Sequence, residues 1–280
     1  MLTDANSRPA VFTFPGAASN QSLGDLCSAC TLALDLREVP YPDWRRLCES
    51  GTSFADAIDT LAHEVILRAP AGEIRVAGYS IGGEIAFWVA RAIRRLGRGV
   101  ALVVVVNSKA PGAVQTAANR LSGLQRTCWK LLRMLREREI KTAIILRILG
   151  LVPLRLWPIA NYVLPLLPGG FRERTEIRLR ATAITILKQR WEARHGAPLQ
   201  PSDIPLLLLR VRGDRYEDNR YGGWASRVFD VATIMVDGDY RTVLKGAKLR
   251  ALAATFASAV LSHEVSGLAC VAPPPNFNYA

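Results

Sequence analysis

Ile74-Arg75-Val76-Ala77-Gly78-Tyr79-Ser80-Ile81-Gly82-Gly83 is the stretch that decides how this chain folds. Ile74 to Ala77 reads as a short buried strand, and it runs without a loop into a serine set between glycines. From Ile85 to Leu96 the apolar residues recur at helical spacing, and Gly97 and Gly99 stop the helix. A serine on so abrupt a strand-to-helix turn has its hydroxyl pushed out beyond the sheet. The N–H groups of the helix N-terminus then face any oxyanion formed there. The glycines are needed because the turn brings backbones close together. A bare Gly-x-Ser-x-Gly arises by chance in roughly one chain in ten of this length at ordinary residue frequencies. The strand before it, the helix after it and the third glycine, Gly83, lift this one well above chance.

Outward from that turn the chain alternates. Val11 to Phe14 reads as a strand ended by Pro15-Gly16, Leu23 to Leu34 as a helix, and Leu36 to Val39 as a short strand before Pro40-Tyr41-Pro42. Ser53 to Leu67 is an amphipathic helix with Phe54, Ile58, Leu61, Ala62, Val65 and Ile66 on one face, capped by Ser53 or Thr52. Ala101 to Val106 is a β-branched strand ending at Asn107. Leu206 to Val211 and Val231 to Val236 are further strands, and Leu244 to Val260 is the last helix. Such alternation predicts an α/β architecture with a mostly parallel sheet and helices on both faces. The core is expected from residues 1–111 and 201–280. Residues 112–200 form an insertion of two or three helices, broken at Gly150 to Pro153 and at Pro168-Gly169-Gly170.

A chain of 280 residues that is 50% hydrophobic can bury one sizeable core. Its mean hydropathy of +0.13 excludes global disorder. The formal charge is +12, and it is not spread evenly: 16 of the 36 Lys and Arg fall within 112–200, against five acids. One segment is therefore built to meet something anionic. That segment is too apolar for a nucleic-acid patch, and no nucleic-acid motif accompanies it. Its most apolar part, Ala143 to Leu167, is broken by Arg147, Arg155 and three prolines, which disqualifies it as a membrane span. Contact with a membrane surface is a minor reading of this part and not the expected one. Five cysteines are too few for a disulfide framework. Cys27 and Cys30 have no second pair and no neighbouring His, so no metal or redox site is expected. With no apolar signal segment in Met1 to Pro9, the expected location is the cytoplasm.

Phe14-Pro15-Gly16-Ala17, Gly78 to Gly83, the strand ending at Asn107-Ser108, Gly223-Trp224 and Val236-Asp237-Gly238-Asp239-Tyr240 share their order and spacing with a known family. The chain resembles the thioesterase domains and stand-alone type II thioesterases of non-ribosomal peptide and polyketide synthesis, within the α/β-hydrolase superfamily. The resemblance implies an α/β-hydrolase fold with 112–200 in the place of a helical lid, and no bound cofactor. It implies removal of an acyl group from the phosphopantetheine thioester of an acidic acyl or peptidyl carrier protein, by hydrolysis or cyclisation. Ser80 matches the nucleophile, and the backbone N–H groups of Ala17 and Ile81 match the oxyanion hole. The basic half of the insertion would meet the carrier, and its apolar half would line an acyl channel.

Two positions depart from the family pattern. Asn107 stands where the triad acid is placed, and Tyr240 stands where the family reads histidine. A serine hydroxyl is a weak nucleophile until a base takes its proton, and tyrosine, with a pKa of about 10, is a poor base at neutral pH. Two residues are candidate substitutes. Asp214 follows the Leu206 to Val211 strand, among Arg210, Arg212 and Arg215. His195, alone of the three histidines, lies in the insertion. Two readings therefore stand. One is a thioesterase acting through Ser80 at reduced or lost activity; the other is a catalytically inactive thioesterase-fold module that binds a carrier protein or an acyl chain.

Overall fold

A computed structural model of the chain describes residues 8–16, 20–49, 51–112, 164–166, 169–195, 200–212, 223–238 and 242–266. In chain order these form β1 (Ala10–Phe14), α1 (Asn20–Cys30), β2 (Asp35–Glu38), α2 (Trp44–Cys48), α3 (Phe54–Arg68), β3 (Ile74–Tyr79), α4 (Ile81–Arg95) and β4 (Val100–Val106). Then follow α5 (Gly169–His195), β5 (Leu206–Val211), β6 (Val231–Val236) and α6 (Gly246–Ser266), with single 3-10 turns at Leu164–Leu166 and Trp224–Ser226. The strands lie in the order β2-β1-β3-β4-β5-β6, and every pair is parallel.

The predicted strands all form: five are short apolar, largely β-branched or aliphatic runs with a face on either side of the sheet, and the sixth, β2, is a half-buried edge strand paired only with β1. Phe12, Phe14 and Val76 join one apolar cluster with α2, α3, α4 and α5; Val11, Ala77 and Tyr79 join the other, under α1 and α6. Ser53 caps α3 through a reciprocal capping box with Asp56. The short helix α2 was not expected, and it anchors through buried Trp44 and Leu47. The described part of the 112–200 segment is chiefly α5. Its Leu179, Ala183, Ile184 and Leu187 are buried in the same cluster as α3 and α4. Among the described residues no helix is long and apolar enough to cross a membrane.

Chain order reverses at β1, whose neighbours are β2 on one side and β3 on the other. In open parallel sheets such a reversal leaves a crevice at the carboxyl ends of the strands, where ligands bind. The elbow serine follows β3, and the Pro15-Gly16 loop follows β1, so both lie at that crevice.

Glycine is obligatory where α4 meets the sheet and dispensable at Gly24 of α1. A Cβ at Gly82 would stand 2.2 Å from the Phe14 carbonyl oxygen, whereas one at Gly24 in α1 would meet nothing within 4 Å. Gly82→Ala should therefore cost about 3 kcal/mol, and Gly24→Ala should stabilise by about 0.5–1 kcal/mol through helix propensity. Urea denaturation of both variants measures the contrast. A pH-dependent contribution comes from the α3 cap, where hydrogen bonds from the Ser53 hydroxyl and backbone N–H hold the Asp56 carboxyl below its ordinary value. A depressed carboxyl contributes above its unfolded pKa of about 3.9, and that contribution is lost as pH falls through the folded value. Asp56→Ala, which removes only the N3 half of the capping box at a solvated site, should cost about 0.5 kcal/mol at pH 7. In the same denaturation assay the difference from wild type should shrink between pH 5 and pH 3.

Candidate active site

The sequence places Ser80 between the last residue of β3 and the first of α4, and the backbone there is sharply turned. Ser80 has φ 56° and ψ −124°, and Asn107 has φ 49°. Among the described residues these are the only two non-glycine positions with positive φ. Such a conformation costs an L-residue on the order of 1–3 kcal/mol, and it persists only where the surroundings impose it. The surroundings here are backbone contacts. The Ser80 N–H donates to the Val106 carbonyl at 2.9 Å, and the Gly83 N–H donates to the Ser80 carbonyl at 3.0 Å. A Cβ at Gly78 would lie 2.1 Å from the Gly82 carbonyl oxygen, and one at Gly83 would lie 2.8 Å from Ser108 Cβ. The turn admits no other residue at these positions without moving the helix.

Gly16 passes over the same turn: a Cβ on it would stand 3.6 Å from Ser80 Cβ. Its loop is fixed by Tyr41, a fully buried phenol whose hydroxyl donates to the Pro15 carbonyl at 2.5 Å. Burial first, then the charges of Glu38 and Glu84, drive the Tyr41 pKa far above its ordinary value, so it stays a donor. Ile81, the other expected oxyanion donor, is the first residue of α4, where N–H groups face outward along the axis. Ala17, Asp214 and Tyr240 lie outside the described residues.

Asn107 ends β4 directly beside Ser80, since Tyr79 pairs with Val106. Its N–H donates to the Leu209 carbonyl at 2.8 Å, and the next residue is pinned by Trp224, whose indole donates to the Ser108 carbonyl at 3.0 Å. The side chain is 7% exposed, and its amide nitrogen has no hydrogen-bond partner. The side chain beside Ser80 is thus a neutral amide, with an NH2 donor as well as a carbonyl acceptor, where the resemblance led to the expectation of a carboxylate.

His195 is not brought to Ser80. It stacks on Trp191 at 4.7 Å, and its Nδ1 lies 2.9 Å from the Trp191 carbonyl. Trp191 in turn packs edge-on against Trp88. Trp88 is eight residues beyond Ser80, about 12 Å down α4 at the helical rise. His63 is exposed on α3, with its Nδ1 on the Asp59 carbonyl. Among the described residues no group of three metal-ligating side chains converges.

Sequence reasoning missed an ionic cluster one turn along α4 from Ser80. Lys188 of α5 contacts Glu84 of α4 and, at 3.1 Å, Glu192. Burial pulls the Lys188 ammonium down, but the two carboxylates outweigh it and hold its pKa above the ordinary value. No local sequence signal marks this pairing, since Glu84 and Lys188 lie far apart in the chain.

An orphaned buried amide at 107 makes a sharp stability test. Asn107→Asp introduces a buried carboxyl with no partner, which raises its pKa. Its stability is then greatest below the unfolded carboxyl value and falls as pH rises through the folded one. The variant should lose roughly 1–3 kcal/mol at pH 7.5 and approach wild type at pH 4.5, as read by urea denaturation.

Known proteins share this framework. The family model for the thioesterase domain matches residues 11–152. Among solved structures, the NocB thioesterase domain, in covalent complex with a fluorophosphonate nocardicin G analogue, aligns at TM-score 0.58 and 15% identity over 92% of this chain and 96% of that one. The RedJ thioesterase of the prodiginine pathway of Streptomyces coelicolor aligns at 0.58 and 16% identity over 91% of each chain. A four-domain nonribosomal peptide synthetase bound to AMP and glycine aligns at 0.59 and 18% identity over 90% of this chain, which spans 19% of that protein's length. At these identities the likeness concerns the fold, which is that of the α/β-hydrolase thioesterases. No curated protein matches the chain in sequence. The family match covers half of the chain and includes both strained residues, Ser80 and Asn107, and on that footing the chain belongs to the thioesterase domain family.

Proposed function

We propose that Ser80 accepts acyl groups from phosphopantetheine thioesters borne on an acidic carrier protein of peptide or polyketide assembly, and releases them slowly. The observation that carries this reading is the strained Ser80 turn, kept at φ 56° by glycines that tolerate no side chain. A fold that only needed a helix after β3 would relax there. Attack of Ser80 Oγ on the thioester carbonyl forms a tetrahedral oxyanion at the N-terminus of α4; its collapse expels the pantetheine thiol and leaves an acyl-serine ester. Water must then attack that ester, and this step most needs a base. Asn107 offers no charge to steady an imidazolium, and tyrosine at 240 stays protonated at neutral pH. Acylation outpacing deacylation is the consequence.

The orphaned Asn107 amide favours a second reading, a module that holds an acyl chain or a carrier without turnover. In either reading the basic 112–200 segment supplies the charge that an acidic carrier would meet.

A fluorophosphonate probe and an acyl-pantetheine thioester separate the two. Wild type should be labelled and Ser80→Ala should not, with hydrolysis only about 10³–10⁴ above water. Turnover near the ordinary enzymatic value of about 10 s⁻¹ would overturn slow release; absence of labelling would select the binding module. Asn107→Asp combined with Tyr240→His should raise hydrolysis by about 10² or more by restoring the base. Capture of an acyl-loaded carrier domain should succeed at low salt and fail at 1 M, where charge is screened.

A further inference from the structure

Glu84 lies four residues beyond Ser80, so the two share one side of α4 a single turn apart. Gly82 and Gly83 press on the sheet, which leaves Ser80 and Glu84 on the helix side that faces away from it. There Lys188 bridges Glu84 and Glu192, and Glu192 uses its other oxygen to accept the Gly112 backbone N–H at 3.1 Å. Gly112 has φ 64° and is the last described residue before 113. The preceding Pro111 carbonyl accepts from buried Arg227 at 2.8 Å. The side chains of Lys188, Glu84 and Glu192 are 9%, 14% and 24% exposed. One cation thus joins three parts of the chain: the helix that carries the nucleophile, the helix that follows the 113–163 segment, and the residue from which that segment departs.

Adhesion alone does not call for such a cluster. One turn further on, Trp88, Trp191 and Phe54 hold the same two helices by aromatic packing. Well-packed apolar side chains in place of a buried ion pair are generally as stable or more so. What ions add is a fixed register, because a charge displaced from its partner is left buried and uncompensated.

We propose that Lys188 is a positioning residue for the Ser80 centre: by bridging Glu84 and Glu192 it fixes α5 and Gly112 in register against the first turn of α4. This rests on the reading of Ser80 as a nucleophile for its kinetic effect, but not for its structural one. Loss of the bridge frees Glu192 from Gly112 and loosens α5 against the first turn of α4, which lets the Ser80 hydroxyl and the helix amides drift out of line. The groups facing Glu84 are Lys188 and Glu192 from α5 and Lys109 from the loop after β4. Burial raises the Glu84 pKa, with Lys188 and Lys109 opposing, so protonation as pH falls would weaken the bridge above the usual carboxylate range.

The test pairs hydrogen exchange with fluorophosphonate labelling in wild type, Lys188→Met, Lys188→Arg and Glu84→Gln. In Lys188→Met the amides of Ile81 to Glu84 and of Gly112 should exchange at least tenfold faster, and Ser80 labelling should slow at least tenfold. Lys188→Arg should recover most of both. Glu84→Gln, which keeps its shape should Lys188→Met fail to fold, should slow labelling severalfold and abolish the acid limb of its pH profile. Wild-type exchange at those amides in a folded Lys188→Met, or in Glu84→Gln if the former does not fold, would overturn the proposal. So would wild-type labelling in the same variant. If wild type itself is not labelled, the reading of Ser80 fails and the exchange measurement alone decides the role of Lys188.

Discussion

The contact on which the rest of the structure depends is backbone against backbone, where the first turn of α4 descends onto the ends of β1 and β3. With a Cβ at Gly78 or Gly82 the two layers would separate, since either would sit little more than 2 Å from a carbonyl oxygen. Because they do not separate, the residue between them must reverse direction within one peptide, and Ser80 takes a φ that serine otherwise avoids. The ladder hydrogen bond to Val106 and the apolar burial of α4, with Ile85, Phe87 and Val89 fully inaccessible, hold the strained turn in place. Strain of this kind is local, and the stabilisation that balances it is distributed across two apolar clusters.

The same layering fixes where position 107 lies. β4 is the neighbour of β3, so the residue that follows it is delivered beside Ser80 whatever side chain it bears. Asn accepts the left-handed backbone more readily than most residues, and the Trp224 indole holds the following carbonyl. A carboxylate at this place would bring an anion into a buried site, and an imidazolium would be its natural partner. An amide needs no such partner for charge balance.

Much of this was legible in the sequence because its signals are local. The glycine pattern around Ser80, the β-branched run Ala101 to Val106 and the Ser53–Asp56 spacing each declare their structure within a few residues. Two features were not legible for the opposite reason. Helix α2 is five residues long and includes Arg45 and Arg46, so it carries too little periodicity to show, and it exists because Trp44 and Leu47 find a tertiary partner in α5. Glu84 and Lys188 are far apart in sequence, and each taken alone reads as an ordinary solvated charge. His195 misled in the other direction: a histidine beside glycine suggests freedom, but Trp191 supplies a ring to stack on and a carbonyl to hold.

The ionic cluster also changes how the net charge should be read. Counting Lys and Arg in 112–200 treats every cation as available to an anionic partner, yet Lys188 is 9% exposed and committed to two carboxylates. Elsewhere on α5, Arg172 and Arg180 face Glu176 and Asp43, acids they share with Arg45 of α2. These pairs are looser, with nitrogen-to-oxygen separations of 3.6–3.9 Å for the α5 arginines, and are partly solvated. A screened, half-paired arginine can exchange its carboxylate for one on a partner at small cost, whereas a buried lysine cannot. Among the described residues, α5 thus carries one interior cation, Lys188, committed to two carboxylates, and partly exposed arginines whose carboxylate partners are exchangeable. A count of cations treats the two kinds alike, although only the exposed kind is open to an anion from outside.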